Sequence, residues 1–250
     1  MFPIRDHNPS RRMPYVTWAL MAINIVVFLA YYPALSSDGA KLASFWSDWA
    51  LVPQETLSGV DLYTLVTSMF LHGGWMHLAG NMLYLWIFGD NMEDALGHGQ
   101  FLLFYLAAGL AASGLQIASD PDSLVPVVGA SGAIAGVLGG YLLLYPRAKI
   151  DVLFIFIVFF KIWPIRAWIV LLVWFGLQVF NGAAAFGSTG GGVAYWAHAG
   201  GFIAGLLMVL PAWTRRGARE FWRKTEGHPP YPETQYQERL TSVPVVRRRR

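Results

Sequence analysis

Residues 127–145 read VVGASGAIAGVLGGYLLLY, an almost wholly apolar stretch with one serine, Ser131, close to its start. A helix over this stretch is nearly long enough to cross a bilayer, which takes about 20 apolar residues. Gly132, Gly136 and Gly140 recur at every fourth position, and small residues at that spacing let the backbones of membrane helices approach closely. The stretch therefore predicts a membrane helix that packs tightly against a neighbour and carries a hydroxyl near one end.

The rest of the chain has the composition of a protein that crosses a membrane several times. Of its 250 residues, 55% are hydrophobic and 13% are charged, whereas soluble domains carry about 25% charged residues. Six apolar segments predict spanning helices, over residues 15–35, 72–88, 101–119, 127–145, 164–181 and 193–213. Residues 151–163 are apolar but short, so we expect them to lie at the interface rather than to span. The predicted fold class is an all-α, polytopic bundle of six transmembrane helices.

The Lys and Arg residues of the connections predict the orientation of the bundle. They cluster before the first helix, between the fourth and fifth helices, and after the sixth, where the tail holds ten of the 18. By the positive-inside rule, these three segments are cytoplasmic. We therefore expect a cytoplasmic N-terminal segment over residues 1–14, a membrane domain over 15–213 with an outer interfacial loop at 36–71, and a disordered basic tail over 214–250. Beside a membrane domain, such a tail is expected to touch anionic lipid rather than nucleic acid.

Reactive side chains of three predicted helices share one depth. The second, fourth and sixth helices enter from the outer side, and His77, Asn81, Ser131 and His198 lie in or near their first turns. Polar groups at such positions are functional-site candidates, and a serine beside a histidine forms a nucleophile with its base. His77 and Asn81 share a helical face and offer N–H donors for an oxyanion; alternatively, they only hold the bundle together by hydrogen bonds. No acidic residue lies at an outer helix end to orient His198, so a hydrolase built here would use a Ser–His dyad.

Other residues near these positions have predicted structural roles. Gly201 follows His198 by three residues, so the helical face that carries the base is also shaped for close contact. His72 precedes the second helix and is expected to anchor the loop before it. Cysteine is absent, which excludes disulfides and thiolate metal sites. We expect neither a metal nor a cofactor.

Three motifs occur in order along the chain: His72-x4-His77-x3-Asn81, Gly129-x-Ser131-Gly132 and Ala197-His198-x-Gly200-Gly201. Together with Gly89-Asp90-Asn91-Met92-Glu93-Asp94 and Trp174-Phe175-x2-Gln178, they resemble the rhomboid family of intramembrane serine proteases, over roughly residues 62–210. The individual tetrapeptides are weak signals, but their combination and order are specific.

The resemblance implies a role for each motif residue. Ser131 would be the nucleophile and His198 the general base, and His77, Asn81 and the Ser131 backbone N–H would form the oxyanion hole. Gly129 and Gly132 would shape the backbone near the site. Substrates would be single-span transmembrane proteins that enter laterally from the lipid. The expected location is a bacterial inner membrane, with both termini cytoplasmic and the active site open to the outer side; the oligomeric state stays open.

Two departures from the family pattern affect the surroundings of the site. Many members carry Trp-Arg where Tyr63-Thr64 stands here, and some carry a tyrosine, stacked on the catalytic histidine, where this chain has Ala135. An aromatic such as Trp174 or Phe175 is therefore expected to position His198. Two other interpretations remain. The first is a catalytically silent rhomboid-like binder, although such proteins typically lack the serine or the histidine. The second is a transporter, which would require polar residues along helices one, three and five, and these are nearly apolar.

Overall fold

Long helices dominate the structure, as the apolar segments predict. The computed structural model describes residues 2–156, 159–185 and 192–230. In chain order its helices are α1 Tyr15–Leu35, α2 Gly39–Trp49, α3 Pro53–Leu57, α4 Thr64–Thr67, α5 Trp75–Leu96, α6 His98–Ser119, α7 Ser131–Leu144, α8 Ala167–Ala184, α9 Tyr195–Arg215 and α10 Arg219–Thr225. Helices α1 and α5 to α9 correspond to the six predicted segments, which confirms an all-α, polytopic class. Among the described residues, α1, α6, α8 and α9 are long and apolar enough to cross a membrane, and α7 is apolar but has 14 residues.

Helix α7 is the centre of the bundle, and its small residues explain how it is enclosed. It contacts α5, α6, α8 and α9, and each of its residues from 132 to 141 is buried. A Cβ on Gly136 would overlap Ala108 of α6, and one on Gly139 would overlap the backbone of Phe202 on α9. Gly136, which belongs to the predicted four-residue spacing, and Gly139, which does not, therefore let two helices approach α7 at once.

The segment between α1 and α5 is structured, and it holds the chain that enters α7. It contains α2, α3, α4 and a 3-10 turn over Ser68–Phe70. Leu51 exchanges both backbone hydrogen bonds with Val127, and the Gly129 N–H donates to the Ser68 carbonyl at 2.9 Å. The predicted helix start at residue 127 is therefore wrong, because residues 127–129 are not helical and the backbones of Val127 and Gly129 are hydrogen-bonded to this segment. The position of the segment at the outer face of a membrane stays a prediction.

A three-stranded antiparallel sheet stands where the sequence predicted an interfacial segment. Its strands are β1 Phe2–Asp6, β2 Lys149–Phe156 and β3 Phe159–Arg166, and β2 lies between the other two. Val, Ile and Phe residues favour strands, and Asp151 joins β1 to β2 by accepting from Arg5 Nε at 2.5 Å and pairing with His7 Nε2 at 2.8 Å. The sheet is an addition that the all-α prediction missed, and it delays the start of α8 to Ala167.

The acidic residues at 90–94 lie in the last turns of α5. There Glu93, which is fully buried, caps the start of α1: its carboxylate accepts from the Val16 N–H at 2.9 Å, the Thr17 N–H at 2.8 Å and the Thr17 hydroxyl at 2.7 Å. His98 Nδ1 is 2.5 Å from the same carboxylate. A carboxylate at a helix N-terminus accepts hydrogen bonds from the free N–H groups and is attracted by the positive end of the helix dipole. Glu93 therefore fixes α1 to α5.

The tail prediction is wrong for the residues that directly follow α9. Helix α10 packs on the bundle through Phe221, which is buried, and through Trp222, whose Nε1 donates to the Leu143 carbonyl at 2.9 Å. The Trp213 and Trp222 rings are 4.8 Å apart. These two adjacent aromatic residues contact the bundle and hold the short basic helix against the end of α7. The remainder of the predicted tail, residues 231–250, lies outside the described residues.

Candidate active site

Ser131 and His198 lie within hydrogen-bonding distance of one another. Ser131 is the first residue of α7 and His198 lies in the first turn of α9, and His198 Nε2 is 2.8 Å from the Ser131 hydroxyl oxygen. A Cβ on Gly201 would overlap the carbonyl of Gly132, and one on Gly205 would overlap the backbone of Gly136. The two helices are thus in direct backbone contact about one turn below the pair.

Helix α8 supplies two further contacts of the His198 ring. Gln178 Oε1 is 2.8 Å from His198 Nδ1, and the Trp174 ring lies against the imidazole with centroids 5.7 Å apart and an interplanar angle of 33°. Of the two aromatic residues expected to position His198, Trp174 is the one whose ring lies against the imidazole. Phe175 instead stacks on Phe202, with ring centroids 4.6 Å apart. Sequence reasoning missed the contact of Gln178 with His198, although the family resemblance already singled out this glutamine.

His77 presents one ring nitrogen to the loop that precedes Ser131. Its Nδ1 accepts a hydrogen bond from the Gly73 N–H at 3.2 Å, so in the neutral ring the proton is carried by Nε2. A Cβ on Gly129 would lie 2.8 Å from His77 Nε2 and 3.4 Å from the Ser131 hydroxyl oxygen. The donor of His77 therefore lies beside Gly129 and close to the serine. Gly129 has φ +132°, a conformation that a side chain would strain, so glycine is needed here on two counts.

Two further donors come from Asn81 and from the start of α7. Asn81 is 7% exposed, lies one turn after His77 on α5, and its Nδ2 has no hydrogen-bond partner among the described residues. Ser131 begins α7, so its N–H is one of the first four of the helix and has no acceptor within it. A buried amide donor without a partner is costly in a folded protein and marks a position where a ligand atom can bind.

His72 anchors the loop before α5 through its backbone, in keeping with its expected structural role. The Tyr31 hydroxyl donates to the His72 carbonyl at 2.6 Å and accepts from the His72 N–H at 2.8 Å. The His72 ring is buried and meets the His77 ring edge-on, with centroids 5.1 Å apart. Both the backbone and the ring of His72 therefore restrict where His77 can lie.

A small cavity of about 30 Å³ adjoins the serine. Ser68, Ser113, Gly129 and Ser131 are among its lining residues. A cavity of this size holds a water molecule when polar groups line it, and hydroxyls and backbone atoms do so here. Among the residues that the structure describes, no cluster of three or more His, Asp or Glu side chains could hold a metal ion.

Comparison with known proteins identifies the family. The rhomboid domain matches residues 60–215, which include α5 to α9 and all of the site residues described above. The mitochondrial Rhomboid protein 1 of Saccharomyces cerevisiae is 32% identical over 197 residues, covering 77% of this chain and 51% of the yeast protein. Rhomboid protease GluP of Bacillus subtilis is 39% identical over 131 residues, or 52% of this chain and 24% of GluP. Rhomboid protease GlpG of Salmonella paratyphi A is 26% identical over 213 residues, or 84% of this chain and 67% of GlpG.

The matched part is the membrane bundle, and the relatives are longer. The chain spans about half the length of the yeast relative and about a quarter of GluP. The family domain nevertheless covers more than half of this chain, with α5 to α9 and the Ser131–His198 pair inside it. The chain belongs to the rhomboid family and is an integral, multi-pass membrane protein.

Proposed function

We propose that this chain is an intramembrane serine endopeptidase that cleaves transmembrane segments of other membrane proteins with a Ser131–His198 dyad. The observation that carries the proposal is the 2.8 Å distance between His198 Nε2 and the Ser131 hydroxyl oxygen. A hydroxyl is a weak nucleophile unless a base accepts its proton as it attacks, and a histidine within hydrogen-bonding distance is such a base. The relatives GluP and GlpG are both named as rhomboid proteases, in agreement with this chemistry.

The site residues suggest a sequence of proton transfers. Ser131 Oγ attacks the scissile carbonyl carbon while its proton passes to His198 Nε2. The carbonyl oxygen becomes an oxyanion, for which the Ser131 N–H, His77 Nε2–H and the Asn81 amide are the candidate donors. His198 then gives the proton to the leaving amine, which leaves an acyl-enzyme on Ser131. Water attacks this ester with His198 again as base, and the serine is released.

The packing of the pair fits a substrate that is itself a membrane segment. Ser131 and His198 are half-buried at the ends of apolar helices rather than at a wide aqueous surface. The cavity beside Ser131 is lined largely by small residues and has room for little more than a water molecule. We infer that the substrate is an extended, locally unwound transmembrane segment and that the site faces the outer side of a bacterial inner membrane. The placement of Lys and Arg residues supports the orientation.

The decisive experiment compares the two dyad variants and their combination. Purified wild type in detergent is incubated with a panel of single-span substrates and, separately, with a fluorophosphonate that labels activated serines. Ser131→Ala and His198→Ala should each abolish cleavage, and the double variant should be no worse, because a nucleophile and its base act as one unit. Ser119→Ala is the matched control, since this hydroxyl donates to the Gln116 carbonyl of its own helix.

The outcomes separate the proposal from its rivals. Cleavage retained by Ser131→Ala would refute the serine mechanism. A wild type that binds membrane proteins but neither cleaves them nor reacts with the probe would instead be a silent binder. Solute flux without cleavage would favour a transporter.

A further inference from the structure

The contact between Gln178 and His198 has the geometry of the third position of a catalytic triad. Gln178 Oε1 is 2.8 Å from His198 Nδ1, on the opposite side of the ring from the 2.8 Å contact with Ser131. In serine hydrolases with a triad, a carboxylate accepts from this nitrogen and holds the ring in the tautomer that leaves Nε2 free for the serine. We propose that Gln178 is the positioning residue for His198 and supplies a neutral acceptor in place of that carboxylate.

The tautomer of His198 decides whether it can act as the base. A neutral imidazole carries one proton, and Nε2 can accept the serine proton only if Nδ1 holds it. The Gln178 oxygen accepts from Nδ1–H and cannot do so if the proton moves to Nε2. The glutamine therefore selects the reactive tautomer and fixes the rotation of the ring.

The orientation of the Gln178 amide is itself fixed within α8. Its Nε2 donates to the Trp174 carbonyl at 3.4 Å, which leaves Oε1 as the atom that faces the imidazole. Trp174 also packs its ring against His198. One turn of α8 thus supplies both the acceptor for Nδ1 and the aromatic wall behind the ring. Because α8 is a separate helix from those that carry the dyad, its position controls whether the base is aligned.

A neutral acceptor suits this depth in the bundle. A carboxylate buried in apolar surroundings is expensive unless it is paired, whereas an amide oxygen loses much less on leaving water. The amide dipole still stabilises the imidazolium that forms when the serine proton is transferred. The role rests on the proposed protease function, since a tautomer preference has consequences only if His198 accepts a proton.

The test compares four variants by substrate kinetics and by the rate of Ser131 labelling with a fluorophosphonate. Gln178→Leu keeps the approximate volume but removes the acceptor, and we expect kcat and the labelling rate to fall about 10- to 10²-fold with KM unchanged. Gln178→Asn shortens the side chain by about 1.5 Å, which also breaks the contact. Gln178→Glu keeps an acceptor at the same position and should restore most of the activity. Leu177→Met, at an exposed neighbouring position of α8, is the control.

The pH dependence of activity distinguishes a positioning role of Gln178 from a purely structural one, because a structural role would leave it unchanged. A carboxylate in Gln178→Glu stabilises the imidazolium, so the acidic limb of its pH–activity profile should move to higher pH by about one unit. His77 on α5 is also titratable and acts electrostatically on His198. The shift is therefore measured as the difference between Gln178→Glu and the wild type, which share His77.

The outcomes are distinct. A slow but stable Gln178→Leu that is rescued by Gln178→Glu supports the positioning role. Wild-type kcat and labelling in Gln178→Leu overturn it, as does a loss that follows thermal stability and is not rescued by glutamate. If the wild type itself neither cleaves substrates nor reacts with the probe, the proposed function fails, independently of any Gln178 variant.

Discussion

Replacing Gly201 by alanine should separate the catalytic pair without touching either member of it. A Cβ at this position would overlap the carbonyl oxygen of Gly132. A backbone carbonyl cannot rotate away as the end of a side chain can, so α9 must move from α7 by about 1 Å to reach ordinary contact. His198 lies three residues earlier on α9 and would move with it. Its 2.8 Å contact with Ser131 would then lengthen to about 3.8 Å, beyond hydrogen-bonding range.

Gly201→Ala removes no functional group, yet we expect a large loss of activity. Misplacement of a catalytic group by about 1 Å can cost about 10²-fold in rate, and overpacking of a close-packed contact costs about 1–3 kcal/mol. We expect Gly201→Ala to lower kcat by about 10²-fold and to lower the thermal midpoint in detergent. Substrate cleavage, the rate of Ser131 labelling and thermal unfolding are measured on the same preparation.

Gly114→Ala is the matched control, because it makes the same chemical change on a neighbouring helix. A Cβ on Gly114 would meet nothing within 4 Å, and alanine is more favourable than glycine inside a helix by about 0.5–1 kcal/mol. This variant should keep full activity and unfold at the same or a higher temperature. Wild-type activity and stability in Gly201→Ala would refute the reasoning, since the contact between α7 and α9 would then not set the distance between the dyad residues.

Three further predictions concern donors, pH and helix capping. His77→Ala and Asn81→Ala should each lower kcat by up to about 10²–10³-fold with little change in KM, because an oxyanion exists only in the transition state; a change confined to KM would assign them to substrate binding instead. Burial, followed by a nearby carboxylate charge, raises the pKa of Asp6 from 3.8 to about 8, so the folded state holds a proton that the unfolded state releases. The stability that Asp6 contributes is therefore fully present below pH 4 and is lost as pH rises through about 8. Asn at position 6 does not titrate, so the thermal midpoint of Asp6→Asn minus that of the wild type should grow over this range. A constant difference would exclude the titration. Glu93→Ala leaves the buried N–H and hydroxyl of Thr17 without their acceptor, at about 1–3 kcal/mol each, so its thermal midpoint should fall well below that of the wild type, whereas an unchanged midpoint would mean that α1 is held by other contacts.

The arrangement of the candidate site was largely predictable because it follows from helix periodicity and topology. Even-numbered spans enter from the same side, so polar residues in their first turns must lie at a similar depth. Glycines at every fourth position mark the faces that touch. These two rules are sufficient to bring Ser131 and His198 together, and the structure places them in contact. The contact of Gln178 with His198 could not be predicted in this way, because it depends on how far α8 is rotated about its axis.

The sheet could not be predicted because its pairing is not local. Residues 149–166 are apolar on both faces, so they lack the alternation that distinguishes a half-buried strand from a short interfacial helix. The partner strand β1 lies more than 140 residues earlier, and no periodicity in either segment refers to the other. Helix α10 was missed for a related reason. Its two adjacent aromatics stand within a run of charged residues, where composition alone favours a solvated tail.

The site is built from groups without a fixed charge, and this has a consequence for how it works. Among the described residues, the side chains hydrogen-bonded to Ser131 or His198 are those of serine, histidine and glutamine. In the proposed reaction, charge would therefore arise only during catalysis, as an oxyanion near the start of α7 and as an imidazolium between Ser131 and Gln178. Each has a prearranged partner: free N–H groups and the positive end of the helix dipole for the first, an amide oxygen for the second. The resting site thus avoids the desolvation cost of a buried carboxylate. Its donors and acceptors interact most strongly with the charges of the transition state, because electrostatic interactions are stronger in surroundings of low polarity.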